Sequence, residues 1–175
     1  GFADCAVDRI CPKPSFDNIL DAAVERYCEW DVEAAAWKGE KPDIPGLTFA
    51  DNLMASLERK LFTLNSGHAI CAYLGYLRGY ETIKDSIADP AIGEIVHAAI
   101  SESGEGLIKE FGFDPDVHHA YVEKIFARYQ NPFLEDEVLR VGREPIRKLE
   151  AGDRLIKPLT TTASYGLPVD HLIFG

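Results

Sequence analysis

Three polar side chains that can hold or move protons lie close together in one apolar stretch of the sequence. Lys60, Asn65 and His68 occur within a segment otherwise rich in Leu, Ala, Ile and Tyr. The spacing of apolar residues from Asp51 to Tyr80 predicts one long helix, on which the three fall at roughly 0°, 140° and 80° and share one face. Burying a lysine is unfavourable unless it is paired or neutral. The pattern therefore suggests an acid–base site, in which an extended substrate bridges the roughly 12 Å of helix axis between Lys60 and His68.

The same residues also fit a structural role. A lysine on a helix usually keeps its charge in solvent and lays its stem along apolar surface. Asn65 followed by Ser66-Gly67 fits a local kink, and an isolated histidine is more often a hydrogen-bonded structural residue than a catalyst. Spacing alone leaves both interpretations open.

A second cluster of charge lies in residues 140–157. Its net charge is +3, in a chain whose net charge is −11. Guanidinium groups bind phosphate through paired hydrogen bonds, so the segment is a candidate anion site. The alternative is salt bridging on a helix surface, such as Arg143 with Glu150 or Arg147 with Glu144. Its basic residues are Arg140, Arg143, Arg147, Lys148, Arg154 and Lys157.

Composition limits the classes of partner. The acidic net charge argues against nucleic-acid and anionic-membrane binding, which need a broad basic face. No apolar run approaches the roughly 18 residues of a membrane span, and no signal peptide is recognisable. The four cysteines form no CxxC pair and no metal-ligand spacing, so reduced thiols in a cytoplasmic protein are expected. Glu94 and His97 resemble half of a di-iron helix motif, but the other half is missing and no metal is predicted.

The local signals predict a mainly α, multi-helical domain with a small β element near the N-terminus. Residues 2–10 are expected to form a strand that ends in a turn at residues 11–14, and residues 38–47 a loop. After the long helix, which Asp51 or Thr48 caps and Gly79 ends, Pro and Gly residues delimit further helices. Tyr73, Tyr76 and Tyr80 have the spacing of a packing stripe. Further helices are expected over residues 85–111 with a restart at Asp89-Pro90, 114–130, 135–149 as two short pieces, and 153–162.

The sequence contains no GxGxxG turn between a strand and a helix. Such a turn holds the pyrophosphate of a dinucleotide cofactor, so no cofactor site is visible. Residues 1–175 are therefore expected to be one domain without a Rossmann domain, and a first residue of Gly rather than Met suggests a processed or excised piece.

Several stretches resemble the polyol-specific long-chain dehydrogenases, and most closely their sugar-phosphate members. The central one is ERKLFTLNSGHAICAYLGYLRGYETI, which has the K-x4-N-x2-H pattern of their signature helix. Further matches, in order along nearly the whole chain, are GFADCAVDRICP, DIPGLTFADNLMASLERK, RYQNPFLEDEVLRVGREPIRKLEAGDRLIKPL and SYGLP. The resemblance implies the C-terminal, substrate-binding domain of an NAD-dependent, metal-independent enzyme that interconverts mannitol 1-phosphate and fructose 6-phosphate.

The resemblance also assigns roles to residues. It implies that Lys60 is the general base, that Asn65 stabilises the developing oxyanion and that His68 orients the polyol. It matches Asp8 to a further acid on the substrate side. In related enzymes an Arg and a Lys that are eight residues apart bind the polyol, and Arg140 and Lys148 match that spacing. The sugar-phosphate members carry extra basic residues, and Arg143, Arg147 and Arg154 are the corresponding phosphate candidates.

One position departs from the family pattern, and alternatives remain. Related mannitol 2-dehydrogenases carry a Glu three residues before the catalytic Lys, which is tied to proton exchange with solvent. This chain has Leu57 there with Glu58 beside it, so the resemblance does not carry that proton route over to this chain. The substrate could instead be an unphosphorylated polyol or a hexuronate. A third possibility is a helical binding module that is inactive in isolation.

Overall fold

The chain divides into two compact units, Gly1–Lys60 and Leu61–Gly175. This computed structural model describes residues 2–11, 18, 20–133 and 136–175. The first unit packs a sheet and a helix of its own, and the expectation that residues 1–175 are one domain stays a prediction. The expected turn at residues 11–14 lies mostly outside the described residues.

The first unit is a three-stranded sheet followed by a helix. Strand β1 pairs antiparallel with β2, with Asp8 opposite Glu29, and β2 pairs parallel with β3. Ala6 and Val32 are buried in this unit, and α1 packs against β1 and β2. Asn52 rather than Asp51 or Thr48 caps α1, because its side-chain oxygen accepts the amide of Ala55 at 3.2 Å. The elements are β1 (Cys5–Asp8), β2 (Glu29–Glu33), β3 (Leu47–Ala50) and α1 (Leu53–Lys60).

Helices are the main elements of the second unit within its described residues, and one isolated β-bridge pairs Thr82 with Glu137. The unit begins with a π-helical turn, Leu61–Asn65, so the predicted long helix is interrupted by a different hydrogen-bond pattern. The wheel angles expected for Lys60, Asn65 and His68 assume unbroken α geometry, and the π turn invalidates them. The helices are α2 (Ser66–Arg78), α3 (Ile83–Ala88), α4 (Pro90–Phe111), α5 (Pro115–Tyr129), α6 (Val138–Val141), α7 (Pro145–Lys148), α8 (Ile156–Ser164) and α9 (Asp170–Phe174).

Local signals place most helix ends in this unit. Asp89 and Asp114 accept amides of the helices that Pro90 and Pro115 begin, as the sequence predicts. Gly79 follows α2 at φ +80°, where a left-handed conformation favours glycine. The mainly α fold is confirmed. Helix α4 packs against α2, α5, α8 and α9, and the buried core includes Phe62, Ile70, Val96, Ile100, Leu107 and Ile125. Among the described residues, no helix is long and apolar enough to cross a membrane.

Candidate active site

A histidine, a carboxylate and a guanidinium form a connected group in the second unit, named here the histidine network. Nε2 of His68, on α2, lies 3.2 Å from Oδ2 of Asp136. The Nε of Arg140, on α6, donates to Oδ1 of Asp136 at 2.6 Å, and its Nη2 donates to the same oxygen. Two predicted site residues, His68 and Arg140, are thus brought together by an aspartate that the sequence analysis did not select.

The network keeps its carboxylate ionised. Asp136 is 3% exposed, and burial on its own would raise the pKa of its carboxyl group. The contact with His68 and then that with Arg140 act in the opposite direction, and together they hold the Asp136 pKa below its ordinary value. A fixed carboxylate at Nε2 sets the orientation of the His68 ring.

Side-chain hydroxyls support the π turn Leu61–Asn65. A π turn replaces the α-helical i→i+4 bonds with i→i+5 bonds, so its carbonyls gain from partners outside the helix. The Ser103 hydroxyl donates to the carbonyl of Phe62 at 3.1 Å, and the Tyr129 hydroxyl donates to the carbonyl of Leu64 at 2.7 Å. Helices α4 and α5 therefore hold the turn that precedes His68.

Close packing continues beyond the turn. A Cβ on Gly67 would lie 2.6 Å from Cγ2 of Ile100 and 2.8 Å from the Tyr129 hydroxyl, so only glycine fits there. The rings of His68 and Tyr129 lie 5.5 Å apart, centroid to centroid. Asn65, the last residue of the π turn, is half-buried, and its side chain makes no hydrogen bond to a described residue. Its amide is therefore available to a ligand.

Lys60 belongs to the first unit, where it ends α1. The residue is half-buried, and its Nζ donates to the carbonyl of Val7 on β1 at 2.6 Å. Asp8, the next residue of that strand, is 3% exposed. The amine is thus fixed beside the strand that carries the predicted substrate-side acid. Leu57, at the departure from the family pattern, is exposed, and Glu58 is half-buried.

The three phosphate candidates have unequal surroundings. Arg147 pairs with Glu144 at 2.9 Å, which is one of the surface salt bridges that the sequence analysis weighed. Arg154 pairs with Asp153 at 2.8 Å. Arg143 is exposed and makes no ion pair with a described residue. Two of these cations are therefore already partly neutralised by carboxylates.

Lys148 differs from the arginines of the basic segment because it is buried and its charged group has no hydrogen-bond partner among the described residues. It ends α7 and is 2% exposed, and its ammonium group has no hydrogen-bond acceptor among the described residues. Burial lowers the Lys148 pKa, and the positive charges of Arg154 and Arg147 lower it further, against the opposing effect of Glu144. A buried cation without an acceptor is a strong candidate for contact with an anionic or hydroxyl-bearing ligand.

The rest of the described chain offers no group of three or more His, Cys, Asp or Glu side chains that could hold a metal ion. His97, from the half motif for di-iron, pairs instead with Glu123 at 2.7 Å.

Family models match both parts of the chain. Residues 52–175 match the mannitol dehydrogenase C-terminal domain, and residues 1–46 match the mannitol dehydrogenase Rossmann domain. The chain belongs to the mannitol dehydrogenase family. It therefore joins a piece of the family's Rossmann domain to its C-terminal domain.

Solved structures share the mannitol dehydrogenase fold. One is a Pseudomonas fluorescens mannitol 2-dehydrogenase in a ternary complex with NAD and D-mannitol, with a TM-score of 0.74 and 20% identity over 98% of this chain. Another is a D-sorbitol dehydrogenase in substrate-free form, with a TM-score of 0.67 and 21% identity over 94% of this chain. The chain spans 37% and 39% of these two proteins.

The glycine-rich turn of a dinucleotide site does not occur among the described residues. A dinucleotide site needs a glycine-rich turn that leads from a strand into a helix. Strand β3 leads into α1 through Asp51 and Asn52, and no described strand enters a helix through such a turn.

Two residues of the candidate site were not predicted from the sequence. Asp136 lies four residues before Arg140, a spacing that favours ion pairing on a helix and was a usable signal. Tyr129 carries no such signal, because its hydroxyl donates to the carbonyl of Leu64, which is 65 residues away in sequence.

Proposed function

We propose that this chain is the substrate-binding part of an NAD-dependent dehydrogenase that interconverts mannitol 1-phosphate and fructose 6-phosphate. Family membership supports the dehydrogenase class. The observation that carries the choice of a phosphorylated substrate is the buried Lys148 ammonium group, which has no acceptor among the described residues. A phosphate oxygen would offset the cost of burying that charge.

Each substrate-side residue has one role in the reaction. As the alcohol is oxidised to the ketone, Lys60 takes the hydroxyl proton, and its contact with the Val7 carbonyl orients the amine. Asn65 donates a hydrogen bond to the oxygen on which negative charge grows. His68, held by Asp136, orients the polyol together with Arg140. NAD would accept the hydride and would be held by the rest of the Rossmann domain.

Removing the general base tests this mechanism. In a protein that joins this chain to a complete Rossmann domain of the family, Lys60→Ala should lower turnover at least about a hundredfold, because no other amine would accept the proton. The measurement is steady-state oxidation of mannitol 1-phosphate, followed by NADH absorbance. Lys84→Ala, at an exposed lysine of α3, is the matched control and should keep normal turnover. Near-normal turnover of Lys60→Ala would remove Lys60 from the mechanism.

This chain by itself should not turn over substrate. Mixing it with NADH and fructose 6-phosphate should produce no mannitol 1-phosphate. Measurable turnover would contradict the proposal that NAD is held elsewhere.

An unphosphorylated polyol is the second candidate substrate. Arg147 and Arg154 are paired with acidic side chains, which reduces the capacity of these two arginines to bind phosphate. In addition, the P. fluorescens relative is in complex with D-mannitol, which is unphosphorylated. Calorimetric titration with mannitol 1-phosphate, mannitol and a hexuronate distinguishes the candidates. Equal affinities for the first two would overturn mannitol 1-phosphate as the substrate.

A further inference from the structure

Several buried hydrogen-bond donors of the second unit lack acceptors within the described part of the chain, and two of them belong to the basic segment 140–157 or pack against it. One is the Lys148 ammonium group on α7, and the other is the hydroxyl of Tyr73 in the middle of α2. Neither group has a hydrogen-bond partner among the described residues. Buried polar groups in native proteins are nearly always bonded, so each unbonded group needs an explanation. A missing ligand is one explanation that accounts for both donors together.

The Tyr73 ring lies against the basic segment. A Cβ on Gly142, which stands between α6 and α7, would be 3.5 Å from Cε1 of that ring. This contact is part of the packing of α2 on α6, the helix that carries Arg140. Tyr73 is therefore placed at the segment that carries the basic residues, rather than only in an apolar stripe. The stripe prediction is wrong at Tyr76, which is 62% exposed.

The same two arginines act on both donors. Burial raises the Tyr73 pKa, while the charges of Arg154 and then Arg147 oppose the rise. Burial and then the same two charges lower the pKa of Lys148. The Tyr73 hydroxyl and the Lys148 amine thus share a positive electrostatic environment.

The chemistry of an absent partner follows from these donors. It must offer oxygen acceptors, because a hydroxyl and an ammonium group both donate. It must also carry negative charge, because a buried cation beside two guanidinium groups is otherwise unfavourable. The nearby acids Glu144 and Asp153 already accept from Arg147. A phosphate monoester, with several charged oxygens, meets both requirements.

We infer that the Tyr73 hydroxyl and the Lys148 ammonium group together form an oxyanion subsite that receives the phosphate of the substrate. The inference rests on the proposed function for the identity of that phosphate. Arg147 and Arg154, which are paired with acids, then set the local potential instead of gripping the anion. Tyr73 is thereby a residue that determines specificity for phosphorylated over free polyol.

Tyr73→Phe removes a single oxygen and tests the subsite. Isothermal titration calorimetry of this chain with inorganic phosphate, mannitol 1-phosphate and mannitol should show about a tenfold loss of affinity for the first two and no change for mannitol. Tyr76→Phe, three residues along the same helix at an exposed hydroxyl, is the matched control and should bind all three as the wild type does.

Thermal unfolding guards against a folding artefact. Without phosphate, Tyr73→Phe should melt at the wild-type temperature or above it, since it loses only an unbonded buried hydroxyl. Its gain in melting temperature on adding phosphate should be smaller than that of the wild type.

The outcomes separate the two proposals. Unchanged phosphate affinity in Tyr73→Phe, or a wild-type chain that binds no inorganic phosphate, would overturn the subsite. Loss of phosphate binding in Tyr73→Phe would support the subsite. If the wild type binds mannitol 1-phosphate no better than mannitol, that result would overturn the proposed substrate but not the subsite. If the wild type bound a hexuronate more tightly than inorganic phosphate, and Tyr73→Phe lost that binding, the anion of the subsite would be a carboxylate and not phosphate.

Discussion

The histidine network and the oxyanion subsite lie in the same helical unit but treat charge in opposite ways. In the network, Asp136 is contacted by His68 and Arg140, so the buried carboxylate is compensated by the protein itself. In the subsite, Lys148 and Tyr73 bury donors that no described residue satisfies. A compensated buried charge fixes side-chain geometry, and removing one of its partners costs stability, whereas an uncompensated buried charge is itself unfavourable and favours a ligand of opposite charge. The comparison separates residues that position from residues that bind.

The largest expected effect is the loss of the network's carboxylate. Asp136→Asn should lower the free energy of unfolding at pH 7 by about 2–3 kcal/mol, because it leaves the contacts of His68 and Arg140 without a compensating charge. Urea denaturation followed by circular dichroism measures it. Glu150→Gln, an exposed carboxylate in the same half of the unit, is the control and should change stability by less than about 0.5 kcal/mol. Equal stability of Asp136→Asn and wild type would mean that the network is not compensated.

The difference in stability between the wild type and Asp136→Asn should largely disappear at acidic pH. The pKa of Asp136 is held below its ordinary value of 3.8, so its stabilising contribution is complete above that value and is lost as the pH falls through the lower, folded-state value. Urea denaturation in a pH series from 7 to 3 should therefore show the wild type and Asp136→Asn converging below about pH 4. If the difference in free energy of unfolding between the two proteins stayed constant through the pH series, the stabilisation would come from packing and not from the carboxylate charge.

The smallest expected effect has the opposite sign. Lys148→Met should raise the free energy of unfolding by about 1–2 kcal/mol, because it removes an unpaired buried charge and keeps the apolar volume. The pKa of Lys148 is lowered in the folded state, so the unfolded chain binds the proton more tightly and wild-type stability should rise as the pH approaches 10.5. Lys148→Met should lack this rise when denaturation is compared at pH 7.5 and pH 9.5.

The same variant, Lys148→Met, should also lose phosphate binding. Lys148→Met should lose the stabilisation that phosphate gives to the wild type, as expected where a binding residue is kept at the expense of stability. A less stable Lys148→Met variant would show that Lys148 is structurally satisfied, and would remove the contrast between the two regions.

Much of the fold could be predicted because its signals are local. Asp89-Pro90, Asp114-Pro115 and Gly79 set helix ends through contacts within a few residues, and the structure places the ends there. Strand β3 was missed because it is defined by parallel pairing with β2, which is a contact between separate segments. The π turn was missed because the Ser103 and Tyr129 hydroxyls that support it come from other helices.

The candidate site divides in the same way. The residue types, their spacing and the local excess of positive charge are properties of the sequence, and they indicated Lys60, His68, Arg140 and Lys148 without coordinates. Which cations are already paired depends on contacts between helices, and only the tertiary structure decided it. Arg140 has an aspartate beside it while Lys148 has none among the described residues, because packing determines which charges find a partner when water is excluded. The sequence therefore determined which groups are present, and the fold determined which of them remain available to a ligand.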